Sequence, residues 1–199
     1  MSKLDLQFYQ SNNILDIGKF LLGKILYTNI SNKITSGMIV EVEAYLGATD
    51  KACHSYNNKK TKRTELMFET GGVSYVYLCY GIHSLFNIVV GEKDNPCAIL
   101  IRAIEPIDGI NIMFERRNFN KLTNQLTNGP GKLTQSLGIT DKVNKKSLIS
   151  NLIWVEDHNI KILKKDILSS PRIGVDYAGK DAKLPYRFYI KNNQWVSKL

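Results

Sequence analysis

Met38-Ile39-Val40-Glu41-Val42-Glu43-Ala44-Tyr45 is the stretch on which the reading of this chain turns. In a β-strand successive side chains point to opposite faces. Met38, Val40, Val42 and Ala44 then form an apolar face, and Ile39, Glu41, Glu43 and Tyr45 the other. Two carboxylates and a phenol on the back of a core strand have two readings. One is an ordinary half-solvated strand. The other is the wall of a cleft that needs a carboxylate beside an aromatic ring.

Working outward, residues 24–29 read as a strand, Asn32-Lys33 as a turn and residues 35–45 as the returning strand. Upstream, Ile14, Ile17, Leu21, Leu22 and Ile25 fall at helical spacing, with Asn12 or Asn13 as N-cap and Gly23 near the helix end. Downstream lies a polar loop, 47–63, holding His54-Ser55 and a basic cluster that ends in Lys62-Arg63. A solvated loop is the plain reading of that cluster, and a phosphate-contacting loop the alternative. Residues 74–80 and 84–90 make a β-hairpin turning at Tyr80-Gly81, which puts a tyrosine at its tip. Residues 98–104 are a strand whose apolar run is interrupted by Arg102. An arginine pointing inward there requires a carboxylate, which Glu41 or Glu43 could supply, whereas one at the solvated strand end would not.

Pro106 and Asp108 are expected to open a helix through Arg116-Arg117. Gly129-Pro130-Gly131-Lys132 leads into a second short helix, whose glycine-rich start beside a lysine could hold a phosphate. Residues 152–156, 160–163 and 186–190 read as further strands. No repeat or linker marks a second domain, so residues 1–199 are expected to form one. The fold class is α+β: a single mixed domain with a curved antiparallel sheet, a protruding hairpin and several flanking helices.

Charge narrows the partner. The chain has 27 Lys+Arg against 18 Asp+Glu, a net charge of +9, which favours a polyanion: nucleic acid or an acidic membrane surface. Asp5, Gln7 and Gln10 break any apolar leader, and no apolar run nears the roughly 20 residues of a membrane span. Cys53, Cys79 and Cys97 are scattered and, with three histidines, offer no zinc-type spacing. An odd, dispersed cysteine set suits a reducing cytoplasm.

The ordered blocks IVEVEAYLG (39–47) with His54-Ser55, Met67-Phe68, YVYLCYG (75–81), Asn87 and LIRAIEP (100–106) carry a resemblance. Gly129-Pro130, Lys132-Leu133 and Arg172-Ile173-Gly174-Val175 extend it, and it runs from Phe8-Tyr9 to Trp195-Val196. The sequence resembles the alkyladenine (3-methyladenine) DNA glycosylases, monofunctional enzymes of base excision repair. The pair Ile82-His83 departs from the family's hairpin.

The resemblance implies roles position by position. Glu43 matches the general base that activates water, and Arg102 an arginine that helps hold it. Tyr45, His54 and Tyr77 match the walls of a pocket for a flipped base. Asn87 matches a residue that obstructs the exocyclic amine of guanine, and Tyr80 the residue that enters the DNA stack. Lys62, Arg63, Gly131 and Lys132 are candidates for backbone contact. The implied partner is double-stranded DNA carrying damaged purines, acted on by a monomer at the nucleoid of a bacterial cytoplasm, with no membrane, metal or cofactor. A non-catalytic basic nucleic-acid-binding module would explain the tyrosines and the charge as well. It would not explain Glu43, since a carboxylate facing a polyanion weakens binding.

Overall fold

The computed structural model describes residues 2–197. Nine antiparallel strands form one strongly curled sheet with helices packed on it, an α+β domain. In chain order the elements are β1 Ser2–Lys3, α1 Leu6–Gln10, α2 Ile14–Leu21, β2 Ile25–Ile30, β3 Lys33–Tyr45, β4 Ser74–Cys79, β5 His83–Val90 and β6 Cys97–Pro106. Then come α3 Ile110–Arg117, α4 Pro130–Leu137, β7 Ile153–Asp157, β8 Ile167–Ser170 and β9 Arg187–Ile190.

Strand β3 organises the sheet. Its first half pairs with β2, and from Glu41 to Glu43 the same edge pairs with β9. Its other edge runs along β6. The β3–β6 ladder is irregular at the acidic positions: Ile39 faces Ile104, Glu41 faces Ala103 and Val42 faces Ile101. Val40 and Arg102 are thus left without a partner, and the register slips by one and slips back. Such irregularities re-aim side chains near functional sites.

The apolar face of β3 is the core the alternation required, since Val40, Val42 and Ala44 have no exposed surface and join Ile99, Ile101 and Phe86. The opposite face is equally dry. Glu41 and Glu43 are both 0% exposed, so the half-solvated reading fails.

Helix α2 ends at Leu21, where Gly23 takes φ +84° and turns the chain as the expected helix end, and Ile25 is buried as the first residue of β2. Two expectations need correcting. Pro106 ends β6 instead of opening a helix, pairing with Gly37, and α3 starts only at Ile110. Residues 160–163 form no strand. Ile162 packs over Gly23 and against the core, Leu163 points outward, and the strand comes later, as β8 on the edge of β9.

Candidate active site

Strands β3 and β6 deliver two carboxylates and a guanidinium to one place. Arg102 reaches both acids: its Nε donates to Glu41 Oε1 at 2.9 Å, and its Nη1 lies 3.2 Å from Glu43 Oε1. Burial alone would lower the Arg102 pKa, but Glu43 and then Glu41 outweigh it and hold the group above its ordinary value. The guanidinium is permanently charged.

The two acids then diverge. Glu41 is saturated by structural donors: Arg187 Nε at 2.7 Å, the Ser197 amide at 2.6 Å and the Ser197 hydroxyl at 2.9 Å, besides Arg102. Glu43 lines a cavity of about 400 Å³, a size within the roughly 300–1,000 Å³ of small-molecule sites. Its Oε1 accepts from the Ile173 amide at 2.7 Å and its Oε2 from the Tyr45 hydroxyl at 2.8 Å. Together with the Arg102 ion pair, these two hydrogen bonds hold the carboxylate in place.

Aromatic rings make the other walls. Tyr45, His54, Tyr75 and Tyr77 all line the cavity. His54 meets Tyr77 edge-on at 4.8 Å between centroids, and its Nδ1 lies 3.1 Å from the Tyr75 hydroxyl. Its Nε2 faces Arg63 Nη2 at 3.3 Å. Arginine can only donate, so Nε2 accepts and the neutral ring carries its proton on Nδ1. Burial first, and the Arg63 charge second, push the His54 pKa from 6.5 down to about 4. Burial also raises the Tyr77 and Tyr45 hydroxyl pKa values, Glu43 adding to the shift at Tyr45. At neutral pH this wall is uncharged except for Arg63. Asn87, on β5, is buried at the cavity wall and donates from Nδ2 to the Tyr75 carbonyl at 3.2 Å.

The β4–β5 hairpin stands beside the cavity. Tyr80 is 93% exposed, with Leu78 and Ile82 exposed around it. Tyr80 and Gly81 have φ of +51° and +73°, the backbone of a tight hairpin turn with positive φ at both central residues. The turn is braced from α4. The Thr134 hydroxyl donates to the Ser84 carbonyl at 2.6 Å, and His83 lies so close to Gly131 that a β-carbon there would approach it to 3.1 Å. Gly131 therefore serves hairpin packing. The Lys132 ammonium donates to Gln125 and Asn128. Lys62 is exposed in its loop. Arg63, exposed as well, lies over the Tyr77 ring, 4.7 Å from its centroid, at the cavity wall.

Four contributors went unassigned in the sequence reading. Arg172 is buried behind Tyr45, 4.8 Å from its centroid, and paired through both terminal nitrogens with Asp50 at 2.5 and 2.8 Å. Ile173 supplies a backbone amide, which no side-chain pattern announces. Ser197 and Arg187 anchor Glu41. The Arg-Ile-Gly-Val block of 172–175 was legible only as part of the resemblance.

A buried carboxylate at an aromatic-lined cavity, beside a hairpin with an exposed tyrosine on a basic chain, is the arrangement expected of an enzyme acting on a base in a nucleic acid. The family model described as "Methylpurine-DNA glycosylase (MPG)" matches residues 7–194, and the chain belongs to that family. It is thus a DNA glycosylase, a hydrolase of N-glycosyl bonds. Among curated relatives, a protein of Chlamydia abortus named "Putative 3-methyladenine DNA glycosylase" is 47% identical over 188 residues, covering 93% of this chain and 97% of its own. Proteins with the same name from Clostridium novyi and Natranaerobius thermophilus are 44% and 42% identical, each covering at least 98% of both chains.

Proposed function

We propose that this enzyme removes alkylated and deaminated purines from duplex DNA, 3-methyladenine, 7-methylguanine, hypoxanthine and etheno-adenine among them, using a water activated by Glu43. The observation that carries the reading is Glu43 itself, a carboxylate held by two hydrogen bonds and an ion pair at a cavity walled with neutral aromatics.

A base inside a duplex hides its glycosidic bond and must be rotated out, at a cost of a few kcal/mol. Tyr80 fills the vacated stack, and Tyr45 and Tyr77 recover roughly 1–3 kcal/mol per aromatic contact. Hydrolysis at the anomeric carbon passes through a cation-like sugar, by analogy with glycoside cleavage. One carboxylate can both take a proton from water and stabilise that cation. Hydrogen-bond counting selects the atom. Oε1 accepts from the Ile173 amide and is ion-paired with Arg102 at 3.2 Å, whereas Oε2 receives only the Tyr45 hydroxyl. The water's proton goes to Oε2. Glu43 has no solvent-exposed surface in this structure, so the water reaches Oε2 as the nucleotide enters and the Tyr45 hydroxyl yields. The enzyme acts as a monomer on DNA in the bacterial cytoplasm, within one domain. No described helix is long and apolar enough to cross a membrane.

The direct test is incubation with duplexes carrying a single hypoxanthine or 3-methyladenine. Free base and an abasic site, formed with no added metal, support the reading. Tight binding with no release would support a non-catalytic binding module.

A further inference from the structure

Both stacking tyrosines carry a guanidinium on a ring face, and the two guanidinia differ in charge balance. Arg172, behind Tyr45, is buried and neutralised by Asp50 at 2.5 and 2.8 Å. Arg63, over Tyr77, has no carboxylate within ion-pair distance among the described residues. It is also on the cavity wall, with one N–H given to His54 Nε2. Its uncompensated charge is felt inside the cavity, since it is the second cause of the low His54 pKa.

We propose that Arg63 is a specificity-determining residue that disfavours positively charged N-alkylated purines relative to neutral ones. The inference rests on the glycosylase reading above. A base stacked against the free face of Tyr77 shares that ring with the Arg63 guanidinium on the other face. A cation on one face weakens what the opposite face can give a cationic base. 7-Methylguanine carries a positive charge and loses by this, whereas hypoxanthine is neutral and does not.

The test is single-turnover base release from two duplexes, one with hypoxanthine and one with 7-methylguanine, by the wild type, Arg63→Gln and Arg63→Lys. The ratio of the hypoxanthine rate to the 7-methylguanine rate should fall roughly two- to fivefold in Arg63→Gln, the scale of a cation–π contact at an exposed site. It should stay near the wild-type value in Arg63→Lys, which keeps the charge. The salt dependence of DNA binding should be unchanged. An unchanged rate ratio in Arg63→Gln would overturn the proposal. A salt slope shallower by about one, with that unchanged ratio, would assign Arg63 to a phosphate. A wild type that releases neither base overturns the glycosylase reading itself, and this inference with it.

Discussion

Replacing Tyr80 separates DNA binding from folding more cleanly than any other change. The ring is 93% exposed and its backbone sits at φ +51°. Truncation to Ala removes almost no buried surface, so folded stability should change by less than about 0.5 kcal/mol. At roughly 2–4 °C per kcal/mol for a chain this size, Tm should move by less than about 2 °C. Tyr80→Gly also relieves a left-handed conformation costing about 1–2 kcal/mol, offset by the roughly 0.5–1 kcal/mol that glycine loses in backbone entropy. It should be as stable as the wild type or slightly more so. Lesion binding should respond oppositely. Losing a stacking contact of about 1–3 kcal/mol weakens binding to a hypoxanthine duplex by roughly 5- to 150-fold in both variants, measured by fluorescence anisotropy beside a thermal melt. A Tm drop above about 4 °C with wild-type affinity would show that Tyr80 is structural and refute the wedge.

Two further predictions concern Glu41 and His54. Glu41→Gln strips the charge that Arg102 and Arg187 share, and removing one partner of a buried ion pair costs about 3–5 kcal/mol. A Tm fall of roughly 6–20 °C is expected by thermal melt, and a shift below about 2 °C would contradict the keystone role. The His54 pKa is depressed to about 4 in the fold, against 6.5 for an ordinary histidine. Between those values the unfolded chain binds a proton that the folded chain does not. The His54 contribution to stability is therefore full above pH 6.5 and lost as pH falls towards 4. Imidazole NMR should show His54 neutral at pH 5.5, protonated on Nδ1 and bare on Nε2, and a midpoint near 6.5 would refute the arrangement.

Much of the site was legible because strand alternation is a strict geometric rule. Once 38–45 is a strand, Glu41, Glu43 and Tyr45 must share a face, and an arginine inside the apolar run 98–104 must find an acid. Alternation could not say which acid was available for chemistry. That depends on Ser197, Arg187 and the Ile173 amide, which come from segments more than 120 residues away and carry no local signal. It makes Glu41→Gln a stability mutant, where alternation only put both acids on one face and the resemblance alone singled out Glu43. Residues 160–163 misled because alternating apolar side chains serve equally well to cap a helix end at Gly23. β8, with the sequence Ile-Leu-Ser-Ser, has almost no period and exists because β9 offers it an edge. Arg63 looked like part of a solvated basic loop, since only the folded loop brings it over Tyr77.

The most direct test of the mechanism is single-turnover release of hypoxanthine by Glu43→Gln. The amide can still accept from Ile173 and still fits the cavity, but it cannot take a proton from water. Release should slow by at least the roughly 10²–10⁴-fold of general base catalysis, while affinity for the lesion duplex persists or tightens as a carboxylate is removed from near phosphates. A folded Glu43→Gln variant that releases base at close to the wild-type rate would contradict the account.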